Sequence, residues 1–158
     1  VPEFLGNRAP LADPHAKALI AGLGMERDLD NLTALYVAGL CGIGYGLRQI
    51  IDAQRACGIE SENIVISGGA GQHPLVRQLL ADACGVSVVS TASREPVLLG
   101  SAILGAVAGS VAASLPEAMK QFTQVDATYH SETAFSPLHQ RRYAAYKALQ
   151  QAGRLIRE

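Results

Sequence analysis

A chain of 158 residues that is 49% hydrophobic and 17% charged can bury a core for one domain, or for part of a larger one, and is not a disordered polymer. The formal net charge is −1 and no Lys/Arg block stands out, which leaves nucleic-acid binding without an electrostatic footprint. Gly and Pro break the apolar runs short of the roughly 18 uninterrupted residues of a bilayer span, so no membrane partner is expected.

Cys41, Cys57 and Cys84 are far apart and form no C-x-x-C. They read as three reduced, buried thiols of a cytoplasmic protein. The chain opens on Val1 and no signal-peptide pattern precedes it, so a piece of a longer protein is expected.

In chain order, residues 1–15 hold three prolines and Gly6, with Phe4, Leu5 and Leu11 as apolar anchors. This is an ordered loop. Its notable charges, Arg8 and Asp13, read as a mutual ion pair or a backbone clamp, while the functional alternative puts Asn7 or Arg8 on the wall of a cleft. Residues 16–23, between Pro14 and Gly24, predict a short strand. A long helix follows over residues 30–57, capped by Asp28 or Asp30 and ended by Gly58. Leu32, Leu35, Tyr36, Leu40, Ile43, Leu47, Ile50 and Ile51 recur at helical spacing and predict its buried face. Gly39, Gly42 and Gly46 share one side, where another backbone is expected to pack closely.

A strand is predicted over residues 62–67, then a glycine turn, then a helix from Pro74 to about residue 84 with Leu75, Val76, Leu79 and Leu80 inward and Gly85 as terminator. Residues 86–90 form the next strand. Helices are expected over 96–108 and 115–122, the second with Pro116 in its first turn, and 125–130 is extended. A terminal amphipathic helix covers 136–158, with Tyr143, Tyr146 and Leu149 inside and Arg141, Arg142, Lys147, Arg154 and Arg157 on a solvated face. Alternation of this kind argues for an α/β domain with partly parallel strands. Three strands are fewer than the usual four to six, so part of the sheet is expected outside this chain.

The stretch that organises the rest is Ser67-Gly68-Gly69-Ala70-Gly71-Gln72-His73-Pro74. Glycines there permit φ > 0 and let a ligand lie close to the main chain, and the following helix N-terminus favours anions or polar groups. No Gly-Lys-Ser/Thr follows, which excludes a Walker A loop. The third position of a dinucleotide fingerprint is Pro74, and the next strand ends on Ser90 rather than an acid, which makes a Rossmann-type binder a poor fit. His15, His73, His130 and His139 lie in separate segments with no metal-like spacing, and no acidic residue has the context of a general base.

Three stretches together resemble the C-terminal lobe of the FGGY carbohydrate kinases: residues 4–14 with Leu19-Ile20-Ala21-Gly22-Leu23; residues 67–75 with Gln78 and Ala81-Asp82; and Glu95-Pro96-Val97-Leu98-Leu99-Gly100-Ser101-Ala102. The form Gly6-Asn7-Arg8-x-Pro10-Leu11-Ala12-Asp13-Pro14 is most similar to the pentulose kinase branch, D-ribulose kinases in particular. The resemblance implies an actin-like, ribonuclease H-like lobe spanning 1–158. It implies ATP and Mg2+ as cofactors, a sugar or polyol substrate, and an N-terminal lobe of the same kinase as partner; a homodimer is left open. It places Gly68, Gly69 and Ala70 against adenine and ribose, with Gly71 in the same turn. His73 stands where relatives often carry an Asn that touches the nucleotide. Gly100, Ser101 and Ala102 would support the pocket through helix packing. Leu35 and Ala38 depart from the family's small residue and its acid or amide. The family's phosphate-binding Asp-x-Gly-Thr hairpin and its Gly-Asp base segment are not in these 158 residues, so no catalytic residue is assigned and the base is expected upstream. The alternative is a non-catalytic actin-like module that binds nucleotide or a partner without turnover.

Overall fold

The computed structural model describes residues 1–157, and the side chain of Ala70 also lies outside the described part. The elements are α1 (Leu29–Ala56), β1 (Asn63–Ile66), a 3-10 turn (Ala70–Gln72), α2 (Pro74–Cys84), β2 (Ser87–Thr91), α3 (Pro96–Ala108), α4 (Leu115–Phe122), β3 (Val125–Tyr129), a second 3-10 turn (Thr133–Phe135) and α5 (Ser136–Leu155).

β2 is the central strand. β1 lies parallel to it, in register from Asn63 opposite Ser87 to Ile66 opposite Ser90, and β3 runs antiparallel on the other side with an irregularity at Ser90/Thr91. The third strand is therefore 125–129 rather than 16–23. Residues 16–23 form no strand because their backbone bonds go elsewhere: the Val1 ammonium donates to the Leu19 carbonyl at 3.0 Å, the Leu19 N–H donates to the Val1 carbonyl at 2.9 Å, and Gly22 turns to φ +76°.

α1 starts where Asp28 accepts from the Asn31 N–H at 2.8 Å and ends on Gly58 at φ +80°. From its middle onward it packs on α2 and α5, with Cys41 and Tyr45 meeting Ala83, Tyr143 and Tyr146 and with Ile51 buried further along. Leu32, Leu35, Tyr36 and Ile43 do not join a buried face; they are exposed, and only the N-terminal loop, at Gly42 and along the groove that Leu35 lines, approaches this part of the helix among the described residues. The glycine that admits a neighbour is Gly44, which the spacing did not single out. A Cβ there would stand 2.5 Å from the Ala83 Cβ and 3.5 Å from the Leu80 carbonyl oxygen of α2. Gly39 faces open space, Gly42 meets the Pro2 ring and Gly46 the Tyr146 hydroxyl. By length and composition α1 could cross a membrane, which corrects the expectation from broken apolar runs. In the fold its second half is tied to α5 by polar bonds: Arg48 donates to Gln140 at 2.8 Å, Gln49 to Gln150 at 2.8 Å, and Tyr143 of α5 donates to Asp52 at 2.8 Å.

α2 runs from Pro74 to Gly85, whose φ of +75° closes the helix by a bond to the Ala81 carbonyl. Leu80, Ala81, Ala83 and Cys84 are buried; Leu75 is exposed, since it leaves the helix on the side away from the sheet. Val88 of β2, Leu80 and Ala81 form the sheet-side core with Ile66 and Tyr129 at its edge. Opposite, Tyr45, Tyr143 and Tyr146 meet with ring centroids 5.9 to 6.4 Å apart. Burial pushes the Tyr45 and Tyr146 hydroxyls up to about 12. α3 and α4 pair separately around Ile103, Ala112 and Ala118.

Two charge assignments change. Asp13 does not pair with Arg8; it accepts from Arg157 at 2.6 Å and lies 3.8 Å from Arg154, so those two arginines leave the solvated face of α5 to tie down the N-terminal loop. Cys41 and Cys84 are buried free thiols, but Cys57 is exposed, because it caps α1 at the surface rather than facing the core.

Candidate functional site

The glycine turn connects the carboxyl end of β1 to the N-terminus of α2, and each glycine in it has its own reason. Gly68 sits at φ +93°, a conformation that a Cβ penalises. Gly71 is buried; a Cβ there would come within 2.6 Å of Ile66 Cγ1. Gly69 has ordinary helical angles (φ −58°, ψ −48°) and open space where its Cβ would be. The turn is held by the Gly71 N–H donating to the Gly68 carbonyl at 3.1 Å and the Gln72 N–H donating to Gly69 at 3.2 Å. Gly68 and Gly69 face outward, so bare main chain is presented to whatever lies against the turn.

His73 is the cap of α2. Its Nδ1 accepts from the Leu75 N–H at 3.2 Å, which in the neutral ring leaves the proton on Nε2 as an outward donor. The first turn of α2 thus has one of its free N–H groups satisfied by a side chain, with Pro74 removing another.

A cavity of about 470 Å³ opens beside the turn, between Gly68, Gly71 and Gln72 on one wall and Thr91 to Arg94 on the other. Gly69 and His73 are outside its lining. Arg77 and Asp126 close its floor. Arg77 donates through Nε to the Gly71 carbonyl, its Nη1 lies 3.4 Å from Asp126 Oδ2, and its guanidinium stands 5.7 Å from the Tyr129 ring centroid. Sequence reasoning missed both residues. Arg77 reads as an ordinary helix cation, and its acidic partner is 49 positions away, so no local spacing announces the pair.

Asn7 and Arg8 line neither this cavity nor the turn. Asn7 is buried with both ends of its amide engaged: Nδ2 donates to Glu3, and Oδ1 accepts from the Leu11 N–H at 3.1 Å. Glu3 also accepts from Gln150, so Asn7 staples the loop to α5. Arg8 is exposed. Gly100, Ser101 and Ala102 are exposed on α3, and a Cβ on Gly100 would meet nothing within 4 Å. They line none of the cavities at the turn, at the N-terminal loop or at His139, and α3 turns Ile103 rather than these three toward its neighbour.

Two further cavities exist. An apolar groove of about 440 Å³ lies between the N-terminal loop, α1 and α5, with Phe4, Leu35 and Tyr146 among its walls. A polar one of about 190 Å³ holds Arg48, Asp52, Asp82 and His139. Burial keeps His139 below the ordinary histidine range, and its Nδ1 is 2.9 Å from the Tyr45 hydroxyl. Among the described residues no three His, Cys, Asp or Glu side chains converge, so they offer no metal cage.

The C-terminal domain of the FGGY family of carbohydrate kinases matches residues 1–109. An FGGY carbohydrate kinase domain-containing protein of Danio rerio is 37% identical over 150 residues, which is 95% of this chain and 28% of that protein. A D-ribulokinase of Saccharomyces cerevisiae is 36% identical over 107 residues, 67% of this chain and 15% of the relative. A glycerol kinase of Plasmodium falciparum solved with ADP superposes with a TM-score of 0.72 at 22% identity, covering 96% of this chain and 30% of that one. This chain belongs to the FGGY family of carbohydrate kinases and has the fold of the actin-like lobe that ends them. It spans under a third of the length of these relatives.

Proposed function

We propose that the polypeptide carrying this chain transfers a phosphoryl group from ATP to a hydroxyl of a sugar or polyol, a pentulose such as D-ribulose in the first place, and that residues 67–73 form the adenosine-side wall of its cleft. The observation that carries the reading is Gly69: a position with no conformational need for glycine and no neighbour within 4 Å is kept bare at the outward face of a strand–helix turn. Support also comes from the glycerol kinase relative solved with ADP and from the D-ribulokinase relative, which agrees with the pentulose-kinase form of residues 6–14.

In this reading the bare backbone of Gly68, Gly69 and Ala70 lets a flat purine approach, and the outward Nε2–H of His73 supplies one directional hydrogen bond. Asn7 serves the loop itself through Glu3 and the Leu11 N–H, and the exposed Arg8 is the residue of that pair proposed for the cleft wall. Phosphoryl transfer rests on positioning and charge neutralisation. The phosphate hairpin, the base and any Mg2+ site belong to residues outside this chain, so no chemical step is assigned to it. The protein is expected to work as a soluble cytoplasmic enzyme.

The test is a screen of the full-length protein for ADP formation over D-ribulose, L-ribulose, xylulose and pentitols, beside a nucleotide thermal-shift panel. Turnover of a pentulose with stabilisation by ATP is the expected result. Stabilisation by ATP without turnover of any sugar would establish the non-catalytic module instead, and stronger stabilisation by NAD would remove the kinase reading.

A further inference from the structure

We propose that Arg77 is the positioning residue of the nucleotide site, fixing the glycine turn to the sheet through the Gly71 carbonyl on one side and Asp126 on the other. The inference rests on the reading of that turn given above. Among the described side chains few hold the turn: a Cβ on Gly68 or Gly69 would meet nothing within 4 Å, and one on Gly71 would meet Ile66. A 3-10 turn of three residues has two backbone bonds and poor intrinsic stability.

Arg77 supplies the missing restraint. Its side chain is 12% exposed, and the guanidinium is held from three directions: the Gly71 carbonyl, the Asp126 carboxylate of β3, and the face of Tyr129. Asp126 is itself anchored, because Ser90 Oγ of the central strand donates to the same Oδ2 at 3.2 Å. Turn, helix and two strands are thereby joined by consecutive polar contacts, and Ser90 at the far end is 1% exposed. A rigid planar fork is required, since Nε and Nη1 serve acceptors on different elements; the point charge of a lysine reaches one of them. A ligand that lies on main chain senses displacement of that main chain by fractions of an ångström. Arg77 therefore acts on nucleotide affinity through the position of Gly71.

The experiment compares steady-state constants of the full-length enzyme and its Arg77→Met, Arg77→Lys and Asp126→Ala variants, each with a melting curve. Arg77→Met is expected to raise the ATP KM about tenfold while the sugar KM stays within about twofold. Asp126→Ala, at the exposed end of the contact, moves the ATP KM in the same direction by less, and Arg77→Lys recovers only part of the loss. Equal changes in both KM values, or a fall in melting temperature and kcat without a KM split, overturn the proposal, as does full recovery by lysine. If Arg77→Met does not fold, Asp126→Ala decides: an unchanged ATP KM overturns it. A wild-type enzyme that turns over sugar with ATP while these variants match it sinks the clamp alone. A wild type with no affinity for ATP sinks the site reading and the clamp with it.

Discussion

Gly69 and Gly71 look alike in the sequence and differ in the fold, which makes them a matched pair of probes. Gly69→Val adds a side chain into open space at permitted angles. The melting temperature is expected to stay within about a degree, since surface changes away from special features cost about 0.5 kcal/mol or less, while the ATP KM of the full-length enzyme rises more than the sugar KM. An equal rise in both would count against the adenosine wall. Gly71→Ala drives a methyl toward Ile66 Cγ1 and is expected to cost about 1–3 kcal/mol of stability in chemical denaturation. The need for a left-handed residue in this turn was legible from the glycine cluster, and Gly68 meets it. The packing role of Gly71 was not, because it depends on the chain folding back onto β1. Arg77 was illegible for the related reason that its meaning lies in β3, on the far side of two intervening helices.

Elements with local punctuation were legible nearly to the residue. α2 lies between Pro74 and Gly85, α3 starts on Pro96, and α1 is capped by Asp28. Residues 16–23 lack any such mark beyond their flanking Pro and Gly, and a segment with weak alternation is decided by which backbone groups are free to meet it; here these belong to Val1. The loop that carries this segment is tied to α5 by charge. The hydrogen bond from Arg157 holds the Asp13 carboxyl at about 2, against 3.8 when unperturbed. A carboxylate with a depressed folded value adds stability that is fully present above the unfolded value and is lost as the pH falls through the folded one. The stability difference between wild type and Asp13→Asn is therefore expected to be constant from neutral pH down to about pH 5, to fall steeply from there to about pH 2, and to vanish by about pH 1. It should also shrink in about 1 M salt. Denaturation midpoints across that pH range test this, and a difference that persists undiminished at pH 2 would rule out the ion pair as its source.

At the scale of the whole molecule the described surface carries large apolar faces: Leu32 and Tyr36 on α1, Val97, Leu98 and Leu104 on α3, and Val65 on β1, whose outer edge pairs with no described strand. Patches of that kind mark contacts in soluble proteins. The 158 residues produced alone are expected to bind a hydrophobic dye and to form no ADP from ATP and D-ribulose; detectable ADP from this piece would contradict the division of labour proposed for it. The class of fold was legible from the α/β alternation and the three motif stretches. The shortage of strands is real as well, since the sheet holds three. What the sequence concealed is which faces are bare, since a leucine at helical spacing looks the same whether or not its partner is present.

The contact of Gly44 with Ala83 gives α1 a fulcrum. From that point about 15 residues of the helix, some 22 Å at 1.5 Å per residue, run toward Leu29, first past the N-terminal loop at Gly42 and Leu35 and then with Leu32 and Tyr36 exposed. A tilt of about 5° about the contact moves the far end by about 2 Å while shifting α2 hardly at all.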